Sequence, residues 1–262
     1  MELNHHRGGA GDPLVLIHGI GSSWQAWLPV LRALEQRHEV LAVDLPGFGG
    51  SKPLAPGTAS TVPALADAVE RTIVAAGFER PHLAGNSLGG WIALELARRG
   101  RARSVVALSP GGGWNQREAA YARAALTSTY AAARRVRRHA GALTRTGVGR
   151  AAVFSLVSSR PWRIAPEEAR LALEALGDAD TFLETLDNSV SNRAEGLGQI
   201  DVPVTIAWGS RDRLLLPRQG PRFARAIPGA TLRVLPGAGH VPMWDDPELV
   251  AGAILDLSAR EA

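Results

Sequence analysis

The stretch from Pro81 to Gly100 constrains this chain more than any other. It reads as a short buried strand from His82 to Ala84, a tight turn through Gly85-Asn86-Ser87-Leu88-Gly89, and then a helix. Leu88, Trp91, Ile92, Leu94 and Leu96 carry the helical period, Arg98 and Arg99 occupy the last turn, and Gly100 stands just past it. Reversing a strand into a helix over so few residues drives the central residue toward a strained backbone conformation. Its neighbours at minus two and plus two must be small, because the two backbones nearly touch there. Gly85 and Gly89 hold those positions, which leaves Ser87 at the apex with its hydroxyl projecting.

A five-residue pattern of this kind recurs by chance in a chain with 29 glycines, so its surroundings decide its meaning. Leu14 to Ile17 is a continuous apolar run that reads as a buried parallel strand, and it ends in the turn His18-Gly19-Ile20-Gly21-Ser22-Ser23. A helix is expected from Ser23 or Trp24 to Arg37, a strand at Val40 to Val43, a helix at Pro63 to Ala76 and a strand at Ser104 to Leu108. The strand-helix rhythm resumes at Val202 to Trp208, with a helix at Pro217 to Ile227, a strand at Thr231 to Leu235 and a last helix at Pro247 to Arg260. Leu3 to Arg7 reads as an edge strand ahead of all of these.

Between these two halves the rhythm breaks. Gly111-Gly112-Gly113 is a hinge-like exit, and the next ninety or so residues contain no strand pair. Helices are expected at Glu118 to Arg138, Gly149 to Ser158, Pro166 to Leu176 and Asp180 to Val190. The division is therefore residues 1–110 and 200–262 as one α/β core and residues 111–199 as a helical insertion. Trp114, Tyr121, Tyr130, Phe154, Trp162 and Phe182 in that insertion are candidates to line a pocket or to pack its own core.

Composition narrows the class. A chain of 262 residues with 45% apolar residues has ample core, and it contains no apolar run long enough to cross a membrane and no signal-like start. Cysteine is absent, which excludes disulfides and thiol chemistry and fits a cytoplasmic protein. The formal charge is +4, and residues 111–163 carry ten Arg against the single acid Glu118. Arg134, Arg135, Arg137 and Arg138 read as a solvated helix face paired with the acidic segment after it, because no nucleic-acid motif accompanies them. Neither a nucleic acid nor a membrane is expected as a partner; oligomeric state is open.

With strand before, helix after and this order of motifs, the Gly-Asn-Ser-Leu-Gly turn resembles the nucleophile elbow of the α/β-hydrolase superfamily. The resemblance covers about Leu3 to Leu257. It implies a mostly parallel sheet of about seven strands with helices on both faces and a helical cap over the nucleophile. It departs at the N-terminus, where there is room for only one strand before the His-Gly strand. Asp44-Leu45-Pro46-Gly47-Phe48-Gly49-Gly50-Ser51 resembles a turn common in the same superfamily and is assigned a structural role.

The resemblance also implies the site. A serine hydroxyl needs a base to take its proton and a carboxylate to hold that base in the right tautomer. The order Ser, acid, His selects Asp212 and His240, each after a late strand. Asp201 lies at the wrong end of its strand, Asp245 and Asp246 are expected to cap the last helix, and Ser109 stands where some relatives carry their acid. The backbone N–H groups of Ile20 and Leu88 match the oxyanion positions, and His18 is expected to brace its loop. The implied activity is hydrolysis of small to medium carboxylic esters through Ser87, with no metal or organic cofactor. Serine at the apex argues against haloalkane dehalogenases and epoxide hydrolases, which carry Asp there. Carbon–carbon bond hydrolases share a Gly-Asn-Ser elbow, cofactor-free haloperoxidases and enol-lactone hydrolases share the triad, and a non-catalytic ligand receptor on the same scaffold stays open.

Overall fold

Alternating apolar residues along β2 (Asp12–Ile17) face opposite ways, and each set meets its own layer of helices. The computed structural model describes residues 2–259. Val15 and Ile17 join one core cluster, with α2 (Val62–Ala75) and α3 (Leu88–Arg98), while Leu14 and Leu16 join another, with α1 (Leu28–Glu35). A strand buried on both faces needs apolar residues at every position, and β2 has four in succession.

Among the described residues the sheet has seven strands, in the order β1-β3-β2-β4-β5-β6-β7. β1 (His5–Gly9) pairs antiparallel with β3 (His38–Val43), and every other pairing is parallel. β4 (His82–Asn86) and β5 (Ser104–Leu108) lie at the centre and are buried throughout. β6 (Val204–Gly209) and β7 (Thr231–Leu235) complete the far side. This is the mostly parallel α/β sheet that the motif order implies, with the single leading strand as its antiparallel edge.

Between β5 and β6 the described residues form helices and loops alone: α4 (Gln116–Val136), α5 (Ala140–Thr144), α6 (Gly147–Phe154), α7 (Pro166–Asp178) and α8 (Phe182–Val190). Ala133, Ala140, Phe154, Ile164, Ala169 and Leu173 give this cap a small core of its own. α5 is absent from the sequence reading because five residues are too few to display a helical period. After β6 come α9 (Gly220–Ala226), α10 (Pro242–Asp245) and α11 (Pro247–Ser258). The expected end of the last helix at Arg260 lies outside the described residues.

The first turn of α4 anchors the cap to the core. Asn115 accepts from the Glu118 N–H at 3.0 Å, and the Glu118 carboxylate accepts from the Asn115 N–H at 2.8 Å. The same carboxylate accepts from the guanidinium groups of Arg222 and Arg218. Burial pushes its pKa up, but the hydrogen bonds from the two arginines and Asn115 outweigh burial and hold it at about 2. The arginine run behaves as read from the sequence: Arg134 pairs with Asp180 and Arg137 with Asp178, while Arg135 and Arg138 are exposed.

Candidate active site

β4 passes into α3 through Ser87 alone, at φ 58° and ψ −116°. A residue with a side chain rarely adopts this conformation, and the surroundings enforce it. The Ser87 N–H donates to the Leu108 carbonyl at 2.9 Å, and its own carbonyl accepts from Trp91 and Gly111. A Cβ at Gly85 would lie 2.2 Å from the Gly89 carbonyl oxygen, and one at Gly89 would lie 2.1 Å from the Ile17 carbonyl oxygen. The two glycines are therefore required by contact between backbones. The Ser87 hydroxyl makes no hydrogen bond to any described residue and borders a cavity.

His240 borders the same cavity, and Asp212 lies against His240. His240 follows β7 and Asp212 follows β6, so both loops emerge at the C-terminal edge of the sheet beside the elbow. His240 Nδ1 lies 2.8 Å from Asp212 Oδ2, and both side chains are buried. Asp212 Oδ1 accepts from the N–H groups of Leu214 and Leu215, each at 2.9 Å. With one oxygen tied to the backbone, the other is aimed at the imidazole, which leaves His240 Nε2 as the free ring nitrogen.

The His18-Gly19-Ile20 loop lies directly against the elbow: a Cβ at Gly19 would sit 3.1 Å from the Ser87 Cβ. Among the described residues, neither the Ile20 N–H nor the Leu88 N–H has an acceptor, so both stay available beside Ser87. His18 braces this loop. Its Nδ1 donates to the Gly19 carbonyl at 2.7 Å, and its Nε2 accepts from the Leu45 N–H at 2.9 Å. Burial lowers its pKa, which keeps the ring neutral in that role. Asp44 secures the neighbouring turn by accepting from the Trp24 N–H at 2.7 Å and the Gly50 N–H at 2.8 Å.

Two residues have a role that the sequence reading missed. Asn86 donates from Nδ2 to the His240 carbonyl at 2.9 Å and to the Leu108 carbonyl at 3.1 Å. Its place inside the elbow motif was the available signal. Asp245, expected to cap the last helix, does not: Asp246 alone caps α11, accepting from the Leu249 N–H at 3.0 Å. Asp245 instead accepts from Gly239 N–H at 2.7 Å, the Ser158 hydroxyl at 2.7 Å and the N–H groups of Ser159 and Arg160. It turns inward because the His240 loop and the cap meet there with unpaired donors on both sides.

The cavity facing Ser87 and His240 measures about 550 Å³. Of the six aromatic candidates, Phe154 and Phe182 line it. Tyr130 stacks on Phe182 at a ring separation of 4.5 Å, Trp114 borders a smaller cavity, and Tyr121 and Trp162 are exposed. Among the described residues, no Lys, Arg, Asp or Glu lines the large cavity.

A parallel sheet crowned by a strained serine elbow, with a paired His and Asp on later loops, is the architecture of α/β hydrolases. The chain belongs to the alpha/beta hydrolase family, whose family model matches residues 14–253. It is 32% identical over 192 residues to an epoxide hydrolase of Mycobacterium tuberculosis, covering 70% of this chain and 88% of that one. It is 27% identical over 241 residues to Lipase 1 of Psychrobacter immobilis, covering 89% and 73%. A thermophilic esterase from Thermogutta terrifontis superposes with a TM-score of 0.77 at 25% identity, over 99% of this chain and 93% of that one. No helix among the described residues is long and apolar enough to cross a membrane.

Proposed function

We propose that this hydrolase cleaves carboxylic esters through an acyl-enzyme on Ser87. The observation that carries the reading is that the strained, unpaired Ser87 hydroxyl borders one cavity with His240, whose other ring nitrogen is held by Asp212. His240 takes the Ser87 proton as Oγ adds to the ester carbonyl carbon. The resulting oxyanion is held by the N–H groups of Ile20 and Leu88, a donor pair in which each member is worth about 3–4 kcal/mol in such sites. His240 then gives its proton to the leaving alkoxide, the carbon–oxygen bond breaks and the acyl-enzyme remains. Water, activated by the same imidazole, releases the acid and restores Ser87.

The esterase and lipase relatives support an ester substrate. The epoxide hydrolase relative shares the scaffold, but a covalent epoxide-opening mechanism of that kind uses a carboxylate at the apex, and the apex here is Ser87. The cavity wall, which carries no Lys or Arg among the described residues, favours apolar substrates over carboxylates.

The test is hydrolysis of a p-nitrophenyl ester series together with labelling by a fluorophosphonate. The expected result is turnover and labelling in the parent protein, with Ser87→Ala losing labelling and about 10⁴-fold or more of kcat. Unchanged ester hydrolysis in that variant would assign the nucleophile elsewhere, and no turnover in the parent protein would favour a ligand receptor.

A further inference from the structure

The space around Ser87 has two lobes of unequal size, and His240 borders only the larger. The large lobe, about 550 Å³, reaches from Ser87 and His240 to Phe154, Leu173 and Trp244. The small lobe, about 30 Å³, is bordered by Ser87, Ile20 and Leu88 and closed by Trp91, Leu186 and Val190. Ile20, Ser87, Leu126 and Leu214 border both, so the lobes meet at the nucleophile.

The chemistry assigns a substituent to each lobe. In the tetrahedral intermediate the carbonyl carbon carries Ser87 Oγ, the oxyanion, the alcohol oxygen and the acyl chain. Ile20 and Leu88 fix the direction of the oxyanion. The alcohol oxygen must receive its proton from His240 Nε2, so the alcohol leaves on the His240 side, into the large lobe. The acyl chain takes the remaining direction, into the lobe that borders no acid or base.

Resting on the Ser87 ester-hydrolase reading, we propose that this chain selects esters of a very short acyl group, acetyl to propionyl, with a bulky apolar alcohol. At about 30 Å³ against about 550 Å³ for the large lobe, the small lobe has room for only a short chain. Its end wall is held in place. Trp91 and Trp114 meet edge to face at 5.7 Å and 80°, and Trp114 Nε1 donates to the Asn192 carbonyl at 3.0 Å. A close-packed wall of this kind does not yield to an extra methylene without strain. The large lobe has the volume of a small-molecule pocket and an uncharged lining, which suits a hydrophobic alcohol of eight or more carbons, on the order of a drug-sized ligand.

Octyl acetate and ethyl octanoate test this directly, because they are isomers of equal composition. The expected result is a kcat/KM for octyl acetate about 100-fold or more above that for ethyl octanoate. Two variants change the small lobe without touching Ser87, His240 or Asp212. Val190→Ala opens it and is expected to raise octyl butyrate relative to octyl acetate by about 10-fold. Ala122→Val fills it and is expected to lower octyl propionate relative to octyl acetate by a similar factor. Each readout is a ratio between substrates on one protein, so a fraction lost to misfolding cancels. Equal or better turnover of ethyl octanoate, or ratios unmoved in both variants, would overturn the lobe assignment and leave the ester-hydrolase reading standing. Absence of Ser87-dependent turnover of either isomer would overturn both.

Discussion

Asn86 and His240 are 154 positions apart, yet the Asn86 amide donates to the His240 carbonyl at 2.9 Å. The residue that precedes the nucleophile on the elbow thus holds the loop that carries the base. A second bond from the same amide, to Leu108 at 3.1 Å, fixes its orientation against β5. Ser87 and His240 are positioned by one shared side chain in addition to their own loops.

Asn86→Ala is expected to leave the protein folded and to lower kcat by about 10- to 100-fold, because small displacements between nucleophile and base are costly. KM should change little, since Asn86 contributes no apolar surface to the substrate. Steady-state kinetics with a good ester substrate decides this. A variant with altered KM and unchanged kcat would show that Asn86 acts on binding instead.

Asp212→Asn is expected to lower kcat by about 10³- to 10⁴-fold. The asparagine oxygen can still accept from Leu214 and Leu215, so the loop keeps its shape. Its amide, however, donates toward His240 Nδ1, which forces the hydrogen onto Nε2 and removes the acceptor that Ser87 needs. Circular dichroism should show a native spectrum. Near-parental kcat in a folded variant would mean that another group orients His240.

Asp245→Ala is expected to destabilise the protein by about 2–4 kcal/mol, read as a lower urea midpoint. The change leaves the donors of Ser158, Ser159, Arg160 and Gly239 without their acceptor at a buried seam between cap and core. Asp246→Ala, which removes only the cap of α11, should cost about 1 kcal/mol. Similar losses in the two variants would show that Asp245 serves merely as a local cap.

Acidification should weaken the fold through His82. Burial, chiefly, with help from His38 and Arg103, holds its pKa at about 4, below the ordinary 6.5. Above pH 6.5 the ring is neutral in folded and unfolded chains alike, and nothing is lost. Between pH 6.5 and about 4 the unfolded chain takes up a proton that the folded chain resists, so stability declines as pH falls. Urea midpoints across that window should fall less steeply in His82→Gln. An equal slope in both proteins would assign the pH dependence to other groups.

Local chemistry made much of this molecule legible. The glycine spacing around Ser87, the His-Gly loop and the positions of Asp212 and His240 after successive strands are all features of short segments. A turn that needs Gly at two places records that need in five residues, and a strand buried on both faces records it in an apolar run. The mostly parallel sheet follows once those runs are read with the connections between them, whereas the strand order and the antiparallel pairing of β1 with β3 appear only in the fold.

What the sequence determined by itself was the set of local geometries: a strained apex between two glycines, and a carboxylate and an imidazole after successive late strands of a parallel sheet. Only the tertiary structure decided that Asp245 joins cap to core, that Asn86 holds the His240 loop, and that Phe154 and Phe182 face the cavity while Tyr121 and Trp162 face solvent. These outcomes depend on which donors and which rings meet across helices from distant parts of the chain. A local pattern marks a residue as buried or polar, but the partner it meets, and the size of the space left beside Ser87, arise only when the cap is packed against the sheet.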